Sequence, residues 1–166
     1  DFKLTIIVRI TSDNPLVDPE IIDMAIQKFT ENNYDYISTD HPPTFPQGYA
    51  VEVFSFETLE NAWKNAKKLS EREHVTPYIY NNEKKFKLYN ITNKKNLSHI
   101  RCTLDRTNDF LFLKKIILSV KKQPILLDDV LDVINKSPDL LDINKNYIQN
   151  EGYLKSLNED NKQINE

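Results

Sequence analysis

Ile6-Ile7-Val8-Arg9-Ile10-Thr11-Ser12-Asp13-Asn14-Pro15-Leu16-Val17-Asp18-Pro19-Glu20 is the stretch whose reading decides the fold. Its β-branched run predicts a buried strand that breaks at Asp13. Asp18 suits a helix N-cap, and Pro19 fits the first helical position, where a missing N–H loses no intrahelical bond. Ligands of open α/β sheets bind in the crevice outside the carboxyl ends of strands. Asp13 is therefore the first candidate for chemistry.

Outward from this stretch, Ile21, Ile22, Ala25, Ile26 and Phe29 share one helical face, so the spacing predicts a helix to about Thr30. Tyr34 to Thr39 alternates like a strand, and His41 to Gly48, punctuated by Pro42, Pro43 and Pro46, reads as a loop able to shape a pocket. Ala50 to Phe54 reads as a strand. Ser55 caps a helix with Phe56, Leu59, Ala62, Trp63 and Ala66 inward. Ser70 and Glu73 fit a capping box, and Pro77 predicts a bent or short helix after them. Strands are expected over Phe86–Ile91 and over 99–104, the second ending at Asp105. A helix from Thr107 should present Phe110, Leu113, Ile116 and Ile117 inward and stop at Gln123-Pro124. Beyond residue 120 the texture becomes helical and increasingly polar, which suggests a main unit over 1–120 and a helical extension over 121–166 with a frayed end. The alternation of strands and helices indicates an α/β fold, with a mostly parallel sheet flanked by helices.

Composition narrows the function classes. The 22 basic and 25 acidic residues are interspersed, so charge favours neither nucleic acid nor an anionic membrane as a partner. A lone cysteine, Cys102, excludes an internal disulfide, and no apolar run approaches the ~20 residues that span a bilayer. No signal-peptide pattern opens the chain, so a cytoplasmic location is expected. Two glycines, Gly48 and Gly152, are too few for a phosphate-cradling loop. The absence of an initiating methionine and the early strand suggest a fragment, whose sheet should expose an open edge and apolar surface.

Two aspartates, Asp13 and Asp105, each follow an expected strand, and parallel strands bring such ends to one rim. Magnesium needs only one or two carboxylates plus substrate phosphates, so the pair suffices for it; equally, both residues could simply cap the following helices. Arg72, Glu73 and His74 stand at a helix start, where an anion is favoured, or form an exposed first turn. His41, His99 and Cys102 have no metal-ligand spacing.

Four segments together carry a resemblance: 8–19 (VRITSDNPLVDP), 48–55 (GYAVEVFS), 70–78 (SEREHVTPY) and 101–105 (RCTLD). In order and spacing they resemble the cytidylyltransferase-like proteins of spore coat polysaccharide biosynthesis, relatives of the acylneuraminate and 3-deoxy-manno-octulosonate cytidylyltransferases. The resemblance covers roughly residues 5–118, and the tail from Asn144 to Leu157 is similar to an extension of some members. It implies a Rossmann-like nucleotide-diphospho-sugar transferase fold lacking its N-terminal strands. It also implies transfer of a cytidylyl group from CTP to a sugar or sugar acid, with Mg2+ held by Asp13 and Asp105. Arg72, Glu73 and His74 would line the sugar side, with Glu52 and Arg101 nearby. The family's arginine-rich nucleotide loop has no counterpart here, so this chain by itself is expected to be inactive. The alternatives are a non-catalytic assembly module, compatible with a homodimer, and a transferase using another nucleotide.

Overall fold

The computed structural model describes residues 3–147 and 150–164. Strands β1 (Ile6–Arg9), β2 (Tyr36–Ser38), β3 (Glu52–Ser55) and β4 (Leu88–Asn90) form one sheet in the order β1-β3-β2-β4. Helix α1 (Pro19–Thr30) follows β1. Helices α2 (Phe56–Asn65), α3 (Leu69–His74) and α4 (Pro77–Tyr80) lie between β3 and β4. Helices α5 (Thr107–Ser119) and α6 (Leu127–Lys136), a 3-10 helix (Pro138–Ile143) and α7 (Glu151–Ile164) complete the chain.

The sheet is mixed, which corrects the expectation of mostly parallel strands. Only β2 and β4 pair in parallel, whereas β3 runs antiparallel to both β1 and β2. The reason lies in residues 39–51, which hold no helix. A parallel return needs a crossover of a dozen or more residues, usually helical, whereas an irregular loop brings the next strand back antiparallel. The connection through α1 does behave as a parallel crossover, with β3 inserted between the strands it joins.

The opening strand is also less buried than expected. β1 is an edge strand, with Ile6 and Val8 exposed. Alternation along the inner strands splits the core in two. Ile37 and Val53 join Ile21, Ala25 and Phe29 of α1, Phe112 and Ile116 of α5, and Val130 and Ile134 of α6. Tyr36 and Phe54 face the other way, onto Ala62, Ile79 and Phe86. Helix α6 and the 3-10 helix, both after residue 120, thus share the larger core.

Several helix faces turn differently from their spacing. Trp63 is 64% exposed and Phe56 51%, while Thr58 and Ala62 are the buried residues of α2. On α5, Phe112 replaces Phe110 on the inner face and Ile117 is exposed. The capping box shifts too: α3 begins at Leu69, Glu71 accepts the Lys67 and Lys68 N–H groups, and Ser70 turns inward. Val75, at φ 73°, breaks the chain between α3 and the Pro77 start of α4. As expected, Asp18 caps α1 by accepting from Glu20 N, and Ser55 caps α2 by accepting from Thr58 N.

The expected strand over 99–104 is replaced by an extended segment with a single bridge, Gln47 to Arg101. Gln47 N donates to Ile100 O at 2.9 Å, and Cys102 N donates to Gln47 O at 2.8 Å. Gly48 makes this approach feasible. Its φ is +93°, and a Cβ there would lie 2.8 Å from both the carbonyl carbon and oxygen of Cys102. Gly48→Ala combines left-handed strain with a backbone clash, so a loss of roughly 2–4 kcal/mol is expected in thermal or urea unfolding.

Candidate functional site

The segment after β1 and the segment leading to Asp105 are joined by one backbone contact, Leu104 N donating to Asp13 O at 2.8 Å. This contact puts Asp13 and Asp105 on the wall of one cavity of about 850 Å³. Arg101, Glu52 and His74 line the same cavity. Glu73 does not line it: the residue is exposed and accepts from Ser156 Oγ at 2.6 Å. Arg72 does not join them: it is exposed and donates to the Trp63 carbonyl at 2.8 Å.

Around Asp105 the geometry is dominated by a buried ion pair. Arg101 donates through Nε and Nη2 to the two oxygens of Asp109, both at 2.9 Å, and through Nη2 to Asp105 at 2.6 Å. Asp109 has no exposed surface. It also accepts from the Asp105 and Arg106 N–H groups at 3.1 and 3.0 Å, capping α5, and from Asn144 Nδ2 at 3.0 Å. Burial by itself would raise the Asp109 carboxyl. Arg101, Asn144 and the backbone donor outweigh it and hold the group below the usual carboxylate range. The same bonds to Asp109 raise Arg101 against its own desolvation, so the guanidinium stays charged.

Glu52 anchors another part of the wall. It lies opposite Arg9 in the β1–β3 register and pairs with that guanidinium. Its Oε1 accepts from Tyr36 OH at 2.5 Å and from Thr76 Oγ1 at 2.6 Å. Nearby, Asp40 lines the cavity at the start of the proline loop, its N–H bonded to Ser38 Oγ. Burial, and then the Glu52 charge, push its carboxyl up to about 6.

That shift makes a stability prediction. A folded pKa above the unfolded value gives a contribution complete below about pH 4 and lost as pH rises through about 6. Asp40→Asn removes the charged form, and should stabilise the protein by roughly 1–2 kcal/mol at pH 8 with little change at pH 4. Urea unfolding at the two pH values measures this. An equal effect at both would contradict it.

The loop His41–Gly48 carried a sequence signal as a pocket former, and His41, Pro42, Pro43, Gln47 and Gly48 do line the cavity. Asp109 and Asn144 are not among the site residues expected from the sequence, where Asn144 stands only as the start of the tail that resembles the family's extension. Among the described residues no group of three or more His, Cys, Asp or Glu is placed to hold a metal, and no helix is long and apolar enough to cross a membrane. Asp13 and Asp105 supply oxygen donors alone, which suits magnesium completed by phosphates and water.

Comparison with known proteins shows what the chain as a whole is similar to. The chain is 41% identical over 150 residues to the uncharacterized protein MJ1063 of Methanocaldococcus jannaschii, covering 87% of this chain and 59% of that protein. It is 27% identical over 146 residues to the spore coat polysaccharide biosynthesis protein SpsF of Bacillus subtilis, covering 82% of this chain and 58% of SpsF. The chain thus spans somewhat less than two thirds of these curated relatives. Its fold superposes on a cytidylyltransferase structure from Leptospira borgpetersenii with a TM-score of 0.80 and 31% identity, covering 87% of this chain and 60% of the other. A family model described as cytidylyltransferase matches residues 1–155, a span that takes in both cavity aspartates, the Arg101–Asp109 pair and the start of α7. By that match the chain belongs to the cytidylyltransferase family.

Proposed function

We propose that the protein transfers a cytidylyl group from CTP to a hydroxyl of a sugar or sugar acid, releasing pyrophosphate, for surface polysaccharide biosynthesis. The observation that carries this reading is the backbone contact that sets Asp13 beside the Asp105 segment on one cavity wall, in a chain of this family. The name of SpsF supports the polysaccharide context.

In the reaction the acceptor oxygen attacks the α-phosphorus in line. The new O–P bond forms as the bond from the α-phosphorus to the bridging oxygen breaks, pyrophosphate leaves with that electron pair, and the hydroxyl proton passes to solvent. Asp13 and Asp105 are the residues that would hold magnesium, which when bound offsets charge on the phosphate oxygens. Arg101, fixed by Asp109, sets the orientation of Asp105 and supplies a permanent cation at that wall. Glu52, held by Tyr36, Thr76 and Arg9, keeps its part of the wall rigid before any ligand arrives.

The test is pyrophosphate release by the native protein with each of the four nucleoside triphosphates, magnesium and a panel of sugar acids. Release with CTP, dependent on both magnesium and the sugar, is expected. Preference for another nucleotide would reassign the base, and no release with any of the four would overturn the reading.

A further inference from the structure

We propose that helix α7 completes the acceptor end of the cavity, with Tyr153 as the residue that selects a hydroxylated six-membered ring. This rests on the cytidylyl-transfer reading above. Four aromatic rings border this part of the cavity, each from a different element: His41 from the loop after β2, His74 from α3, Tyr80 from α4 and Tyr153 from α7. They form a connected wall. The His41 and Tyr80 ring centroids are 4.0 Å apart, burial and then the neighbouring Tyr153 push the Tyr80 phenol up, and Tyr153 stands edge-on to His74 at 5.3 Å.

None of the four rings is fully buried, so this wall presents surface to the cavity instead of closing a core. Partly exposed rings beside carboxylates match the chemistry of a sugar: its C–H face lies on the rings while its hydroxyls donate to the carboxylates. Asp40 next to His41 and Glu151 next to Tyr153 supply those acceptors. The triphosphate belongs elsewhere. Asp40 repels a polyanion, whereas Arg101 stands with Asp105.

The way α7 is held supports a functional placement of Tyr153. Directional polar contacts fix the helix, while Leu154 is left exposed. Buried Asp160 accepts from Ser70 N at 3.1 Å and from Ser70 Oγ at 2.5 Å. Buried Ser156 donates to Glu73 and lies 3.0 Å from His74 Nε2. Glu151 pairs with Arg106 at 2.9 Å, tying the start of α7 to the start of α5. Ser156 and Asp160 lie beyond residues 1–155 of the family match.

The experiment is calorimetric titration of the native protein with N-acetylneuraminate, 3-deoxy-manno-octulosonate and N-acetylmannosamine, and separately with magnesium and CTP. Tyr153→Ala should weaken sugar binding about tenfold and leave CTP binding unchanged, while Tyr153→Phe keeps most of it. Asp160→Ala, outside the cavity, should weaken sugar binding about threefold by loosening α7, again without moving CTP. No sugar binding to the unsubstituted protein, unchanged sugar affinity in both alanine variants, or equal losses for sugar and CTP would each overturn the inference. Tyr153-dependent sugar binding without CTP binding would instead remove the transferase reading and leave the acceptor site standing.

Discussion

Asp13→Asn and Asp105→Asn are each expected to lower magnesium-dependent CTP turnover by about 100-fold or more without unfolding the protein. Asparagine keeps the size of each side chain and removes the charge that would hold the cation. Neither carboxylate carries the fold. The Asp13 segment is joined to Leu104 through its backbone carbonyl, which the substitution leaves in place. Asp105 is half-exposed, and Arg101 keeps both bonds to Asp109 when Asp105 loses its charge. A partly exposed ion pair contributes on the order of 1 kcal/mol or less, so the melting temperature should barely move. Pyrophosphate release across a magnesium titration separates the roles: a metal-holding residue shifts the magnesium dependence as well as the maximal rate. Full turnover in either variant would remove that aspartate from the metal-holding pair.

Asp109→Ala should have a large effect on stability, a loss of roughly 3 kcal/mol. The substitution leaves Arg101, whose side chain is 10% exposed, without the carboxylate that neutralises it inside the protein. It also strands the Asp105 and Arg106 N–H groups at the start of α5 and one donor of Asn144. For a chain of this size that loss lowers the melting temperature by ~6–12 °C. Asp109→Asn should recover part of it, since an amide oxygen can still accept from the backbone. A loss below about 1 kcal/mol in urea unfolding would show that water enters and solvates Arg101. Turnover should fall along with stability, because Asp105 takes its orientation from Arg101.

The sequence by itself determined a good deal: the α/β class, the Asp18-Pro19 and Ser55 helix starts and the proline loop that borders the cavity; it also offered Asp13 and Asp105 as candidates, which the structure places on one cavity wall. These are local signals. A capping residue, a proline or a β-branched run acts on its own few neighbours, and four separated motifs sufficed for the family. Tertiary structure alone decided the rest. Strand direction depended on what residues 39–51 fail to form, and the expected strand over 99–104 was displaced because its spatial partner is the loop at Gln47 and Gly48, not another strand. Helix faces turned where spacing was ambiguous, as when Phe112 rather than Phe110 met the core. Arg72 and His74, two residues apart in sequence, separated because Arg72 found the Trp63 carbonyl while His74 met Ser156 of α7. Asp109, Asn144 and Tyr153 acquired their places through contacts with Arg101, Asp109 and His74 respectively, of which a linear sequence bears no mark.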